Sequence, residues 1–479
     1  MLTISADQPQ SLLLEGQAYQ KPSLPVLPVV YPGDAVTKVG TCQLLTLDGV
    51  ETVADMALTG FLRHQKTTLD ERADMLTRLA SKLADHSEAL AKLITLESGK
   101  PITLSVLEVQ RAVELCRSYA NQVVVHENRV VRSGGREATL KYVPIGPVLA
   151  ITPYNFPLNL VMHKLAPAIA SGCSLTLKPA SKTPLTALYV GRLAVEAGYT
   201  AINVVPTTTD VAEKLVQHSV FGKVTFTGSS RVGWHLYAQV GRKPMTLELG
   251  GNAACIVEDV SEETFSRCVR RIVQGAFGFS GQTCISVQRV YVQSALKEAF
   301  TKALIAETRS LKVGNPLLPE TDVGPMITPE DIIRTRTLIK ETIADGGNVL
   351  YGGNTYNALT MNPTIFDRTT PAMRINREEV FAPLMTLTVY DQFEEALALA
   401  NDSEYGLQAG VYTRDWHKAQ RAFEALDVGG VLINDVPTTR LDYLPYGGVK
   451  ASGFGREGVM TGIAEFSTLK TLVVDPTFS

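Results

Sequence analysis

The chain lacks a strong excess of either charge, and it lacks any long hydrophobic run. Its 479 residues carry 45 Lys and Arg against 48 Asp and Glu, which gives a formal net charge of −3. Nucleic acids and anionic membranes select proteins with a basic face, so neither is expected as a partner. No apolar stretch approaches the roughly 18 residues that a membrane-spanning helix requires. The composition is typical of a soluble globular enzyme.

Cysteine is also scarce. The cysteines are spread along the chain, without a CxxC pair or a zinc-binding spacing, at positions 42, 116, 173, 255, 268 and 284. This distribution excludes a disulfide-rich scaffold and predicts no metal site. Residues 1–17 lack the basic and apolar regions of a secretory signal peptide, so we expect reduced thiols and a cytoplasmic location.

Short apolar runs alternate with helical patterns between residues 147 and 250. They predict strands and helices in turn at 147–152, 158–171, 174–177, 185–197, 201–205, 211–218, 223–226 and 230–240. Such alternation is typical of parallel strands joined by helical crossovers, which form an open α/β sheet. A second α/β run follows from residue 252 to about 435. The predicted fold class is therefore α/β.

The remaining segments have other patterns. Residues 1–45 are rich in Pro and poor in periodic segments, so we expect an irregular lead-in. Residues 68–98 repeat Leu at helical spacing and predict a helix that ends at Gly99. Residues 127–143 predict a β-hairpin, and residues 468–474 predict one more strand. The hairpin has no core of its own, which indicates an arm that packs on a partner chain.

Polar residues follow the predicted strands, where ligands of open α/β sheets bind. The amide of Asn155 could donate to a developing oxyanion, although an Asn in a turn is the commoner reason for such a residue. Lys178 could contact the ribose or phosphate of a nucleotide, and the small residues of 227–233 would admit phosphate to a helix N-terminus. A G-x-G-x-x-G pattern at 453–458 follows no apolar strand, so we do not interpret it as a dinucleotide fingerprint.

Two further residues have the chemistry of a catalytic pair. Cys284 follows a Gly-rich turn and could be a nucleophile if its pKa were lowered, although a lone Cys is more often a small buried hydrophobe. Glu248 lies between two leucines at the end of an apolar strand. Burial would raise its pKa toward the range of a general base, and the alternative is a surface Glu on an alternating strand.

The order of these segments resembles that of the aldehyde dehydrogenase superfamily, from about residue 68 to 474. The matching blocks are ESGKP (97–101), TPYNFP (152–157), LTLKPAS (175–181), VTFTGSSRVG (224–233), LELGGN (247–252), GQTC (281–284), EEVFAP (378–383), YGLQAGVYTRD (405–415) and PYGGVKASGFGREG (445–458). The resemblance implies an NAD(P)⁺-dependent oxidation of an aldehyde to the acid. In it Cys284 is the nucleophile, Asn155 and the Cys284 N–H form the oxyanion hole, and Glu248 activates water. Lys164 matches a family lysine implicated in proton relay.

The resemblance also implies a cofactor site for NADP or NAD. Its residues are Thr152, Lys178, Ser181, Gly228, Ser229, Gly233, Leu249, Glu379 and Phe381, with Glu379 on the nicotinamide ribose and Phe381 beside the ring. NAD-preferring members usually carry Glu at the position of Ser181, so we expect NADP⁺ to be accepted. Tyr154 replaces a frequent Trp, and residues 207–209 lack the usual Gly.

The substrate residues that the resemblance implies are Tyr154, His163, Thr283 and Arg440. The stretch 436–440 is similar to one in phosphonoacetaldehyde dehydrogenases, where an Arg and a His hold the anionic end of the substrate. A small anionic aldehyde is therefore expected. The alternative for Arg440 is a structural pair with nearby Asp442.

The resemblance further implies three parts and a homodimer or homotetramer. They are a Rossmann-like cofactor domain (1–125 and 145–250, with 450–464 returning to it), a catalytic domain (251–449), and an oligomerisation arm (126–144 and 465–479). A CoA-acylating dehydrogenase, or a non-catalytic protein on this fold, is the alternative function.

Overall fold

The computed structural model describes residues 8–125 and 129–475. Its helices are α1 (Val50–His64), α2 (Leu69–Asp85), α3 (Ser87–Ser98), α4 (Ile102–Val125), α5 (Asn159–Ser171), α6 (Pro184–Glu196), α7 (Thr209–Gln217), α8 (Ser230–Tyr237), α9 (Glu262–Phe277), α10 (Lys297–Ser310), α11 (Pro329–Ala344), α12 (Arg374–Arg377), α13 (Phe393–Asn401), α14 (Trp416–Ala425) and α15 (Val459–Glu465). Among these helices, none has both the length and the apolar composition to cross a membrane.

The strands alternate with the helices along most of the chain. They are β1 (Leu12–Leu14), β2 (Gln17–Tyr19), β3 (Val26–Val30), β4 (Lys38–Gln43), β5 (Arg129–Ser133), β6 (Arg136–Pro144), β7 (Val148–Ile151), β8 (Leu175–Lys178), β9 (Ile202–Val204), β10 (Lys223–Thr227), β11 (Met245–Glu248), β12 (Ala254–Val257), β13 (Arg289–Gln293), β14 (Asn348–Tyr351), β15 (Thr364–Asp367), β16 (Leu384–Tyr390), β17 (Tyr405–Gly406), β18 (Gln408–Tyr412), β19 (Gly430–Ile433), β20 (Val449–Lys450), β21 (Gly453–Phe454) and β22 (Ser467–Val474).

The first large sheet has the strand order β2-β1-β9-β8-β7-β10-β11-β21. Strands β7 to β11 are parallel, and the crossover helices α5 to α8 join them. The strands β7 and β10 are buried along their whole length, as expected of a parallel sheet with helices on both faces. The predicted α/β alternation of this region is confirmed, and no element end is shifted by more than three residues.

The order of the strands reverses at β7. From β7 the chain continues through β8 to β9 on one side, whereas β10 and β11 lie on the other side. The loops that leave β7 and β10 therefore diverge and open a crevice beyond the carboxyl ends of these strands. The candidate residues Asn155, Gly228 and Glu248 follow or end the strands at this edge.

The second large sheet has the order β14-β15-β16-β13-β12-β18-β19 and is parallel except for β14. A separate three-stranded sheet has the order β22-β6-β5. The tail strand β22 pairs with β6 from Ser467 opposite Pro144 to Val474 opposite Glu137. The predicted hairpin and tail strand are thus confirmed, except that residues 127 and 128 of the predicted hairpin lie outside the described residues.

The prediction of an irregular lead-in over residues 1–45 is wrong for the described part. Strand β1 is fully buried and pairs with β9 at the edge of the first sheet, and β3 pairs with β4. The many prolines of this segment favoured an irregular chain. Burial of three consecutive leucines at that edge stabilises a strand there nevertheless. The helix predicted over 68–98 is two helices, α2 and α3, separated at His86. Its predicted end is confirmed, because Gly99 takes the left-handed conformation with φ 74°.

Candidate active site

Two cavities meet at Cys284. The first cavity has a volume of about 310 Å³ and lies beyond the carboxyl ends of β7, β10 and β11. The second cavity has a volume of about 420 Å³ and lies between α4, α5, α9 and the loop before β20. The residues common to both linings are Leu160, Cys284, Arg440 and Tyr446. A molecule in one cavity can therefore reach a molecule in the other at the Cys284 thiol.

A strained turn presents Cys284 at this junction. Phe279 and Ser280 both have positive φ, at 50° and 56°, which is uncommon for residues other than Gly. Ser280 Oγ donates to Gly324 O at 2.6 Å, and Gln282 Oε1 accepts from the Ile327 N–H at 3.0 Å. These buried hydrogen bonds hold a conformation that the local sequence alone would not favour.

Cys284 is partly accessible, whereas the other described cysteines are buried. Burial in the active-site cleft raises the pKa of its thiol to about 11, although the Tyr446 hydroxyl, 3.6 Å from Sγ, acts in the opposite direction. The sequence predicted a nucleophile only if the pKa of Cys284 were lowered. In the protein alone, this pKa is raised instead. The thiol is protonated at neutral pH and has to lose its proton before it can attack a carbonyl.

Asn155 lies beside Cys284 in the first cavity, in the loop that follows β7. Its Nδ2 donates to the Gln282 backbone carbonyl at 2.9 Å, so the amide is tied to the turn that carries Cys284. The start of α5 is fixed from behind, because Glu108 Oε1 accepts from the N–H groups of Leu158 and Asn159 at 2.9 and 3.0 Å. Asn155 therefore has little freedom to move away from the thiol.

Glu248 ends β11 and faces the same cavity. It is buried, and neither carboxyl oxygen has a hydrogen-bond partner among the described residues. Burial raises the pKa of Glu248 well above its ordinary value, and the negative charge of Glu457 raises it further. A buried carboxyl without partners is costly for stability, which favours a functional role for this residue.

A buried ion-pair network lies behind Glu248. Glu457 pairs with Lys164 through Oε1, and with Arg440 through Oε2 at 2.9 Å. Burial alone would raise the pKa of Glu457, but the positive charges of Lys164 and Arg440 lower it to about 2. Glu457 is therefore ionised and holds both cations next to the junction of the cavities.

His163 lines neither cavity. Its Nε2 lies 3.0 Å from Asp442 Oδ1, and Arg111 binds the same carboxylate through Nε and Nη2 at 2.9 and 2.8 Å. Burial and the charge of Arg440 lower the pKa of His163, so the imidazole is neutral at neutral pH. The structure thus does not bring His163, which the resemblance implied as a substrate residue, to the lining of either cavity, because its ring contacts Asp442 instead.

The predicted cofactor residues divide into two groups. Those that line the first cavity are Gly228, Ser229, Leu249, Glu379 and Phe381. Those that lie outside its lining are Thr152, Lys178, Ser181 and Gly233. Lys178 ends β8, and Ser181 is exposed three residues further on, so both lie at the same sheet edge but farther from Cys284.

Glycines allow helix α8 to pack closely at this edge. A Cβ at Gly228 would lie 2.6 Å from the Phe226 ring, and one at Gly233 would lie 2.3 Å from Leu249. Helix α8 can therefore start close to β10 and β11, and Gly228 and Ser229, which precede it, line the cavity. These residues fit a dinucleotide, whose phosphates need such close approach to the backbone.

Glu379 and Phe381 form the opposite wall of the first cavity. Glu379 Oε1 accepts from the Gly251 N–H at 3.1 Å, and burial raises the pKa of this carboxyl to about 7. The Phe381 ring packs edge to face with Tyr154, with the centroids 6.1 Å apart. Tyr154 donates in turn to Gln282 Oε1 at 3.3 Å, so the aromatic wall is joined to the Cys284 turn.

Several residues of the second cavity were missed in the sequence. Thr283, which the resemblance implied as a substrate residue, lines this cavity. The missed residues are Lys100, Glu108, Arg111, Asn159, Arg271 and Tyr446. The sequence did carry one signal for these residues. On α4 helical spacing places on one face Leu104, Leu107, Glu108 and Arg111, all of which line the second cavity. Tyr446 belongs to the block at 445–458, but no role was attached to it.

Comparison with known proteins agrees with this geometry. The chain matches the aldehyde dehydrogenase family over residues 19–472. It is 37% identical over 411 residues to a lactaldehyde dehydrogenase of Methanococcus maripaludis, covering 84% of this chain and 88% of the relative.

Solved structures show the same architecture. Aldehyde dehydrogenase 21 of Physcomitrella patens, in complex with the reaction product succinate, superposes with a TM-score of 0.95 at 34% identity and covers 98% of this chain and 100% of its own. A glyceraldehyde-3-phosphate dehydrogenase of Methanocaldococcus jannaschii, complexed with NADP, gives a TM-score of 0.91 at 32% identity over 95% of this chain and 100% of its own. The chain belongs to the aldehyde dehydrogenase family, whose members are oxidoreductases that oxidise aldehydes with NAD(P).

Proposed function

We propose that this enzyme oxidises its aldehyde through a thioester on Cys284. The observation that carries the proposal is the position of the thiol at the junction of two cavities, beside the Asn155 amide and the unpartnered carboxyl of Glu248. The Cys284 thiol first loses its proton to water, the thiolate Sγ attacks the carbonyl carbon, and Asn155 Nδ2 with the Cys284 N–H stabilises the oxyanion. With NAD(P)⁺ present as the hydride acceptor, the carbon would then lose its hydride, which leaves the thioester. Glu248 takes a proton from water, the hydroxide attacks the thioester, and the acid and the thiol are released.

The first cavity is the proposed cofactor side. Glu379 would hold the nicotinamide ribose, Phe381 would pack beside the ring, and the start of α8 would hold phosphate. When bound, NAD(P)⁺ would supply the hydride acceptor and the positive charge of the nicotinamide. A positive charge in the first cavity would favour ionisation of Cys284, which the protein alone disfavours. Lys164 and Glu457 form an ion pair, and a proton could leave the site by transfer between these two ionisable side chains.

NADP⁺ is expected to be a good cofactor. Ser181 is exposed at the end of the β8 loop and carries no charge that would repel a 2′-phosphate, and Lys182 adjoins it. The substitution Ser181→Glu should shift the ratio of kcat/KM values toward NAD⁺ by about tenfold or more, as expected from one charge-assisted contact. Steady-state kinetics with both cofactors measure this ratio. Ser230 is not a suitable site for a control substitution, because it begins helix α8. A wild type without NADP⁺ activity would contradict the prediction.

A small aldehyde with an anionic group is the proposed substrate class. The cations that line the second cavity are Lys100, Arg111, Arg271 and Arg440. Each is already paired with a carboxylate, namely Glu108, Asp442, Asp435 and Glu457 in that order, so an anionic substrate would share a cation with its resident partner. Of the cations that line these cavities, Arg440 is the one that lines both of them together with Cys284. The related structures support this class, because one holds succinate and the other acts on glyceraldehyde 3-phosphate. Lactaldehyde, the aldehyde named for the Methanococcus maripaludis relative, is neutral, so the proposal of an anionic substrate rests on the position of Arg440 at the junction of the cavities.

The contribution of Arg440 to anion binding can be measured directly. Arg440 also pairs with Asp442 at 3.3 Å and with Glu457, so its loss will affect any substrate to some degree. The informative quantity is the kcat/KM for an anionic aldehyde divided by that for propanal. In Arg440→Leu this ratio should fall by about tenfold or more, the loss of one charge-assisted contact.

The matched control for this experiment is Arg117→Leu. Arg117 lies on the exposed face of α4 and pairs only with Glu114 among the described contacts, so the ratio should not change. An equal loss with both aldehydes in Arg440→Leu would show that Arg440 supports the loop through Asp442 and Glu457 and does not bind the anion.

The domain division predicted from the sequence remains our proposal, as does the oligomer. Strand β21 joins the first sheet beside β11, which supports the return of residues 450–464 to the cofactor domain. The sheet β22-β6-β5 exposes apolar side chains on its strands, namely Val130, Val131, Leu469, Leu472 and Val473. Exposed apolar patches of this kind mark interaction surfaces, and we propose that a second copy of the chain covers this one.

A further inference from the structure

The hydroxyl of Tyr446 is the polar side-chain group in contact with the thiol of Cys284. The Oη lies 3.6 Å from Sγ, within the range of a hydrogen bond to sulfur. Tyr446 is 6% exposed and lines both cavities, so the contact lies at the junction where the thiol has to react. A thiolate has no proton to give, so in the reactive state the tyrosine must be the donor.

The ring of Tyr446 is held in place by Arg440. The guanidinium carbon lies 3.9 Å from the ring centroid, which is a close cation–π contact. Arg440 is itself fixed by Glu457 at 2.9 Å. The chain of contacts from Glu457 through Arg440 to Tyr446 leaves the hydroxyl aimed at Sγ, and the stacked cation strengthens the hydroxyl as a hydrogen-bond donor.

We propose that Tyr446 is a catalytic residue, whose hydroxyl donates a hydrogen bond to the Cys284 thiolate as it forms and as it is released from the thioester. The proposal rests on Cys284 as the nucleophile. The thiol proton goes to a base or to water, and the tyrosine keeps its own proton throughout. Burial raises the pKa of Tyr446 well above its ordinary value, which is consistent with a donor that stays protonated.

Other charged groups also face the thiol. Glu248 and Glu379 disfavour the thiolate, and Arg440 favours it. The substitution Tyr446→Phe leaves all three in place, keeps the ring under Arg440, and removes one hydroxyl. It therefore isolates the hydrogen bond from the remaining electrostatics of the site.

The test is the pH dependence of inactivation by iodoacetamide, measured with saturating NADP⁺ from pH 6 to 10. Only the thiolate reacts, and the other described cysteines are buried, so loss of activity reports on Cys284. In Tyr446→Phe the pH midpoint should move upward. Alkylation at neutral pH should slow by about tenfold or more, as expected for a hydrogen bond to a charged group, and the two rates should converge at high pH.

The control is Tyr443→Phe, which removes an exposed hydroxyl from the same loop and should leave the profile of the wild type. An unchanged midpoint in Tyr446→Phe would overturn the proposal. So would a uniform slowing at every pH, because that would indicate altered access to the thiol. If iodoacetamide does not inactivate the wild type, the nucleophile assignment itself fails, which is a distinct result.

Discussion

Replacement of Cys284 with alanine is expected to abolish dehydrogenase activity, while the fold and cofactor binding survive. In the proposed mechanism Sγ bonds to the carbonyl carbon before hydride leaves, and no other described cysteine is accessible to take its place. The side chain is only partly buried and its hydrogen bond to Tyr446 is weak at 3.6 Å, so little stability should be lost. Turnover by purified protein and cofactor binding by fluorescence measure the two properties separately.

Cys268→Ala is the matched control for this experiment. Cys268 is buried in α9 and contributes only packing, so its replacement should leave kcat/KM close to that of the wild type. Activity above a trace in Cys284→Ala, in protein that still binds cofactor, would show that the nucleophile has been misassigned.

Replacement of Glu248 with glutamine is expected to leave acylation partly intact and to slow turnover by about 10² to 10⁴, the usual cost of losing a general base. In the proposed mechanism a base for water is needed only in the second half-reaction, the hydrolysis of the thioester. A stopped-flow trace should therefore show a burst of reduced cofactor followed by a slow phase. The amide is isosteric, and because Glu248 has no hydrogen-bond partner among the described residues, the substitution breaks no visible contact.

The pH dependence gives a second test of Glu248. Its buried carboxyl has a raised pKa, so the fraction that can act as a base increases with pH. Deacylation by the wild type should accelerate accordingly as pH rises, and Glu248→Gln should lose this dependence. Absence of the burst, with cofactor bound, would place Glu248 in the first half-reaction as the acceptor of the thiol proton.

Much of the fold could be predicted because its signals are local. The alternation of apolar runs and helical patterns over 147–250 predicted parallel strands, which the structure contains. Gly99 predicted the end of a helix, and helix α3 ends there. The lead-in was mispredicted because β1 is stable only by pairing with β9, about 190 residues further along the chain. Contacts of such separation leave no periodic trace in the sequence.

The candidate site shows the same limit. Cys284, Asn155 and Glu248 were predicted from motifs, and the structure brings them to one cavity. His163 was predicted to contact the substrate, but a residue on a fully buried helix can point to either side, and the ring of His163 contacts Asp442. Tyr446 was missed because its importance depends on its distance to the Cys284 thiol. Arg111 was missed because its importance depends on the face that helix α4 shares with the second cavity. The raised pKa of Cys284 could not be foreseen either, since burial is a tertiary property.

The central claim is a thioester on Cys284 that Glu248 resolves, and its most direct test is the mass of the Glu248→Gln protein. The variant is mixed with NADP⁺ and an aldehyde, quenched in acid after one turnover, and analysed by intact-mass and peptide mass spectrometry. The account predicts a mass gain equal to the aldehyde less two hydrogen atoms, located on the peptide that contains Cys284 and absent when cofactor is omitted. Reduced cofactor formed without any adduct, or an adduct on another residue, would contradict it.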